Sequence, residues 1–200
     1  MSSILITTQR VDTADPVLHF FLDWIREFAI RYDVVYVICL QAGDYDLPDN
    51  VIVKSLGKEV NPSRWRYILK FYRHVIPLVT FNKVNKIFFH MNEIYILLMI
   101  PLLPFCILYR IPSIWWKTQA KLGRFSKAMR FFVSKIFTAS VDGFKVKTNK
   151  TLVTGHGINI KNFKLRELDT SANVVKILSV GRVVPIKNYE LLIESAALLK

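Results

Sequence analysis

The sequence predicts an α/β protein built on a doubly wound, mostly parallel sheet. Two patterns carry that prediction. Short apolar runs rich in β-formers, SILITT (3–8), VVYVICL (34–40) and KIFFH (86–90), alternate with longer stretches whose apolar residues recur every three or four positions. The run 34–40 is also apolar almost without interruption, as a strand covered by helices on both faces must be. Strands joined by crossover helices become parallel neighbours, and the helices fill the two faces.

The first strand, Ser3–Thr8, runs into a polar loop that ends at Asp15-Pro16. An aspartate there can accept hydrogen bonds from exposed amides, and proline suits the first helical turn. Val17, Phe21, Trp24 and Phe28 then repeat at helical spacing. Strands at Val34–Leu40 and Val51–Leu56 flank the turn-forming 46–50. The alternation continues with helix Pro62–Thr80, strand Lys86–His90, helix Glu93–Tyr109, strand Ser113–Trp116, helix Lys121–Val133 and strand Lys135–Ala139. LRELDTSAN (165–173) reads as a linker between a domain at 1–164 and the start of a second at 174–200. There Ile177–Val180 forms a strand, Gly181 a turn, and Leu191, Leu192, Ala196 and Leu199 one side of a helix, which together make one βα unit.

Composition narrows the classes. With 52% hydrophobic residues, 7 Gly and 8 Pro in 200 residues, the chain can bury a core and is not disordered. Cys39 and Cys106 sit in apolar runs with no neighbouring His or Cys, so they read as buried, reduced thiols and not as metal ligands. The start of the chain has no basic segment leading into an apolar one, and a cytoplasmic location is expected. The first βα loop, Thr7–Asp15, has no glycine, which removes the dinucleotide fingerprint and makes a nicotinamide or flavin enzyme an unsuitable reading. Ile94–Tyr109 is sixteen residues without a charge, but it is short for a membrane span and carries Pro101 and Pro104, so a buried crossover helix is expected.

The net charge of +13 is unevenly spread: Lys117–Lys150 holds nine basic residues and one acid, Asp142. Such a field favours anionic partners without saying which. Lys117, Lys121, Arg124 and Ala128 fall on one helical face, with Leu122, Phe125, Met129, Phe132 and Ile136 on another. Arg64–Arg73 is a second stretch that interleaves cations with aromatics. Both patterns fit an ordinary solvated helix face, and both fit a helix lying on an anionic leaflet.

Three clusters stand out as sites. Gly181, Arg182 and Lys187 follow the predicted strand of the second domain, at the sheet edge where open α/β folds bind ligands. A guanidinium and an ammonium there suit a diphosphate; a solvated βα turn has the same residues. His90 and Asn92 end strand 86–90, where they either line a cleft or fill a polar corner and cap the next helix. Gly155, His156 and Gly157 suggest a tight backbone path.

SVGRVVPIKNYELLIESAALLK (179–200) resembles the turn that opens the second domain of family 4 glycosyltransferases, and VTGHGINIKNF (153–163) resembles the segment between that family's domains. The resemblance implies a GT-B-like architecture: a Rossmann-like first domain followed by the first βα unit of a second such domain. It implies that Gly181, Arg182 and Lys187 hold the diphosphate of a nucleotide-sugar donor. IFFHMNE is similar to the family's acceptor-side strand end, so His90 and Asn92 become acceptor-side residues, and Gly155, His156 and Gly157 the domain-junction loop. The implied reaction moves a sugar to a hydroxyl of a glycan or lipid-linked acceptor, with no metal and no cofactor besides the nucleotide sugar as substrate. It also implies a protein working at the inner face of a membrane. One departure is notable: PSIWWKTQAK has Lys117, Thr118 and Gln119 where many members carry a second histidine. An ammonium takes over acid/base work only if its pKa falls far, so no catalytic residue is assigned. The family's paired glutamates would lie beyond Lys200, and the chain is expected to be an incomplete, inactive part of the enzyme. The alternative is a non-catalytic basic module docking on an anionic membrane or nucleic acid. No nucleic-acid motif is present, and that partner is not expected.

Overall fold

Strand β1 (Ser3–Val11) lies in the interior of a seven-stranded, entirely parallel sheet in the order β3-β2-β1-β4-β5-β6-β7. The computed structural model describes residues 1–60, 63–118, 125–146, 148–158, 160, 177–181 and 183–198. The sheet belongs to the first of two units, Met1–Ile160; the second is Lys161–Lys200. The other strands are β2 (Val34–Ala42), β3 (Val51–Ser55), β4 (Lys86–His90), β5 (Ser113–Trp116), β6 (Lys135–Thr138) and β7 (Thr151–Val153). In register, Leu5 of β1 pairs with Tyr36 of β2 on one side and Ile87 of β4 on the other.

Strand alternation splits the core in two. Ile4 and Ile6 point to one face, with Val35, Val37, Phe88 and Trp116, and helix α1 (Phe20–Arg31) covers it with Phe21, Leu22 and Ile25. Leu5 points to the other face, with Ile38, Ile87, Phe89 and Trp115. Helix α2 (Arg64–Thr80) packs there through Phe71, Val75 and Val79. Helices α3 (Ile94–Met99), α4 (Leu103–Leu108) and α5 (Ser126–Met129) complete that layer. The chain winds outward through β1, β2 and β3, then returns over α2 to β4 on the other side of β1. The two halves of the sheet therefore diverge between β1 and β4.

Several elements differ from expectation, for identifiable reasons. Asp15 Oδ1 accepts hydrogen bonds from the Val17 and Leu18 amides at 2.8 and 2.7 Å, but regular helix begins only at Phe20, and Val17 is exposed. The helix read over Glu93–Tyr109 is broken into α3, a 3-10 turn at Ile100–Leu102 and α4, because Pro101 and Pro104 lack the amides a continuous helix needs. No described helix is long and apolar enough to cross a membrane. Strand β7 adds an edge to β6 just before the stretch read as an interdomain segment, overlapping it only at Val153. Lys117 is not on a helical face with Lys121 and Arg124: it continues β5, its amide bonds Phe137 O at 2.8 Å, and its side chain is buried. Ile136 likewise belongs to β6. Gln119, Lys121, Leu122 and Arg124 lie outside the described residues, as does the linker 165–173.

In the second unit the expected strand is not formed over residues 177–181, where Leu178 and Val180 are both 86% exposed. Its helix is present as α6 (Tyr189–Ala197), entered through Asn188 in the left-handed region at φ 47°.

Because α1 supplies the wall on which the cleft is built, its anchoring is measurable. Ile25 is fully buried against the sheet. Ile25→Ala should destabilise the unit by about 2–5 kcal/mol, read as a lower urea midpoint at unchanged slope.

Candidate functional site

Open α/β sheets bind ligands beyond the carboxyl ends of their strands, at the point where the winding reverses. Between the ends of β1 and β4 the structure has a cleft of about 380 Å³, lined by Gln9, Arg10, Asp15, Pro16, Val17, Leu18, His90 and Met91.

One side of it is a preorganised ion cluster. The Arg10 guanidinium lies 3.0 Å from Asp12 and 3.0 Å from Asp15, and both carboxylates are buried. The arginine Nε has no hydrogen-bond partner. Burial pushes the Asp15 carboxyl up, but the amides of Leu18 and Val17 and the charge of Arg10 outweigh it, so its pKa is lowered and it stays ionised.

His90 forms the opposite wall. Its ring stacks on Phe21 with centroids 3.7 Å apart and planes within 4°, and Phe20 meets it edge-on at 6.2 Å. Nδ1 is 2.9 Å from Thr8 Oγ1, while the Tyr95 hydroxyl donates to the Thr8 carbonyl at 2.8 Å. Only 1% of His90 is exposed and Nε2 has no partner. Burial pushes its pKa down to about 3. The imidazole is therefore neutral near pH 7 and presents one unused polar atom among aromatic rings. A buried polar atom without a partner costs free energy unless a ligand or water satisfies it.

The other expected residues fall around this core. Asn92 Oδ1 accepts from the Ile94 amide at 3.0 Å in a local turn that leads into α3, beside Met91 at φ 61°; it does not line the cleft. Gly157 O accepts from the Trp24 indole at 2.9 Å, and a Cβ at Gly157 would lie 3.2 Å from that ring. Gly155 turns at φ 72°, and His156, itself exposed, meets Trp116 edge-on at 6.0 Å. Trp24 and Trp116 are 5.0 Å apart, and Trp24 is 6.3 Å from His90, so one aromatic cluster carries both the loop and the histidine.

Lys117 is buried at the end of β5, with Nζ 5.7 Å over the Trp115 ring. Burial lowers its pKa, and the charge of Glu93 only partly offsets this. The Glu93 carboxylate itself takes a short hydrogen bond from Ser126. In the second unit, a Cβ on Gly181 would sit 2.9 Å from Tyr189 Oη and 3.6 Å from Lys187 Cε, so the glycine and the lysine stem are neighbours. Arg182 lies outside the described residues. Among the described residues no group of His, Cys, Asp and Glu could hold a metal ion.

Sequence reasoning missed Thr8, Arg10 and Phe21 as parts of the site and took Asp15 only as a cap. The available signal was RVDTAD (10–15), an arginine and two acids inside the first βα loop of a chain with 28 bases and 15 acids.

No family model matches the sequence, and no curated protein matches it. Solved structures do. The chain is similar to MurG of Acinetobacter baumannii, with a TM-score of 0.50 at 12% identity over 81% of this chain and 48% of that one. It is similar to the lipopolysaccharide outer core galactosyltransferase WaaB in its apo form, with a TM-score of 0.53 at 8% identity over 86% of this chain and 50% of that one. The chain thus spans about half the length of each. At these identities the likeness is one of fold alone: a Rossmann-like parallel sheet of the GT-B type.

The burial of His90 predicts an acid-sensitive fold. Below pH 6.5 the unfolded chain binds a proton at His90 that the folded ring refuses until about pH 3. Stability should therefore fall with pH across that window, by up to about 1.4 kcal/mol per pH unit from this group. Half-buried His74 adds to the slope with the same sign, and Asp15 adds to it at lower pH. Urea midpoints between pH 6.5 and 5 should show a smaller slope for His90→Gln than for the parent chain; parallel lines would contradict the assignment.

Proposed function

We propose that Met1–Ile160 is the acceptor side of a GT-B glycosyltransferase and that Lys161–Lys200 begins its donor side, as the family 4 resemblance implies. The observation that carries the reading is the cleft at the reversal of the sheet, where Nε2 of a buried, neutral histidine is left without a partner beside an ionised Arg10–Asp15 pair. Such a site suits a neutral, hydroxyl-rich ligand: imidazole and carboxylate accept or orient hydroxyls.

In this reading an acceptor hydroxyl hydrogen-bonds to His90 Nε2. An imidazole with pKa about 3 is too weak a base to remove a hydroxyl proton ahead of transfer. His90 therefore fixes the direction of the attacking oxygen, and Asp15 holds a second hydroxyl of the same sugar or lipid-linked glycan. Buried Lys117, at the neighbouring strand end, supplies electrostatic stabilisation and does not replace a histidine acid. On the donor side, Arg182 and Lys187 neutralise the departing diphosphate of the nucleotide sugar, with Gly181 allowing close backbone approach.

The test uses the polypeptide expressed from its complete coding sequence, assayed for consumption of nucleotide diphosphate sugars. Arg182→Ala should cost about 2–4 kcal/mol of transition-state stabilisation, the scale of one lost preorganised electrostatic group. His90→Ala should lower kcat/KM about 10- to 100-fold by releasing the acceptor from its line of attack. Wild-type rates in both variants would overturn the residue roles. A parent protein that consumes no nucleotide sugar would overturn the enzyme reading in favour of a binding module.

A further inference from the structure

The direction of the hydrogen bond at His90 is decided by its neighbour on β1. Nδ1 lies 2.9 Å from Thr8 Oγ1, and among the described residues neither atom has another hydrogen-bond partner. Thr8 is fully buried and stands outside the cleft lining, whereas His90 is part of it. The Tyr95 hydroxyl donates to the Thr8 carbonyl at 2.8 Å, so it holds the main chain there and leaves the threonine hydroxyl to the imidazole.

A neutral imidazole carries one proton, on Nδ1 or on Nε2. With the proton on Nδ1, the ring would donate to Oγ1, and the buried hydroxyl hydrogen of Thr8 would have no acceptor. Nε2 would be left as an unmatched acceptor besides. With the proton on Nε2, the hydroxyl donates to Nδ1, and the one unmatched hydrogen is Nε2–H, on the ring that lines the cleft. The second arrangement strands one group fewer and puts it where a ligand can satisfy it. Charge favours it too. The ion cluster of the facing wall has two carboxylates, Asp12 and Asp15, to one guanidinium, Arg10, and an excess of negative charge attracts an N–H more than a lone pair.

We infer that Thr8 is a positioning residue that locks His90 in the Nε2–H tautomer, so that the histidine offers the cleft a hydrogen-bond donor. Both unpartnered buried atoms of the lining are then donors, because Arg10 Nε is the other. A ligand must meet them with acceptor oxygens, and its own donating hydroxyl belongs at the Asp15 carboxylate. The carboxylate excess disfavours an anionic acceptor, which leaves the neutral oxygens of a carbonyl, an ether or a hydroxyl. This ligand chemistry rests on the transferase reading of the cleft; the tautomer does not. In that reading His90 steadies the acceptor through an oxygen lone pair and takes no proton from it, since Nε2 has no lone pair to receive one.

The test is a long-range proton to nitrogen-15 correlation spectrum of the chain, labelled in its four histidines and recorded at neutral pH, with His90→Gln identifying the ring. His90 should show a pyrrole-type Nε2 and a pyridine-type Nδ1, the latter moved upfield by the hydrogen bond it accepts. Thr8→Ser keeps the hydroxyl and should keep this pattern. Thr8→Val has nearly the same shape without the hydroxyl and should move Nδ1 downfield, with the urea midpoint reporting on the fold. A pyrrole-type Nδ1 in the parent or in Thr8→Ser, or an unmoved Nδ1 in folded Thr8→Val, would overturn the inference. Should Thr8→Val not fold, the parent and Thr8→Ser spectra decide. The two readings fail separately: an Nε2–H ring in a protein that consumes no nucleotide sugar removes the transferase and leaves the tautomer, and an Nδ1–H ring in an active enzyme does the reverse.

Discussion

The stacking of His90 on Phe21 is the contact on which the rest of the cleft depends. It places a polar ring at a position that burial would ordinarily give to an apolar one, and it leaves the imidazole neutral. Everything around the ring serves to hold it. Tyr95, from α3, fixes the end of β1 through the Thr8 carbonyl, and the Thr8 hydroxyl engages Nδ1. Trp24, one helical turn beyond Phe21, carries the Gly155–Gly157 loop on its indole nitrogen. β1, through Thr8, and α1, through Phe21, thus meet directly on His90 of β4, with α3 and the loop after β7 one contact further out. The atom they leave unused, Nε2, is buried and without a hydrogen-bond partner.

Electrostatics divides the first unit between its two edges. At the carboxyl edge the one cation of the cleft, Arg10, is shared by the two carboxylates of Asp12 and Asp15, and the buried histidine carries no charge. That environment suits hydroxyl-bearing ligands better than strongly ionic ones. The long acid-free stretch leaves the cations of the amino edge uncompensated. In the second unit the Lys187 side chain lies beside Gly181.

The sheet was legible because its signals are local. β4 and β5 fall on the predicted residues, since an apolar run bounded by turn residues fixes a strand with little tertiary input. The first helix was harder to bound: Asp15 gives its capping bonds, but the following residues turn before they become helical. Edge strand β7 was not visible because three residues, two of them exposed, carry no apolar alternation; open hydrogen bonds on β6 recruit them. His90 was legible as a strand-end residue, but its neutrality was not, because that follows from burial beneath a helix far earlier in the chain. Arg10 was overlooked for a similar reason: its importance comes from Asp12 and Asp15 folding back onto it, and a loop sequence does not announce that geometry.

The most direct test of this account is the nitrogen-15 spectrum of the His90 ring, recorded between about pH 5 and 8 with and without a panel of soluble saccharides. A neutral ring at every pH is expected, with Nδ1 insensitive to added sugar and Nε2 shifted by those saccharides that fill the cleft. An imidazolium signal near pH 6, or an Nε2 resonance that no saccharide moves, would contradict the claim that this buried, unpartnered nitrogen is the centre of a sugar-binding site.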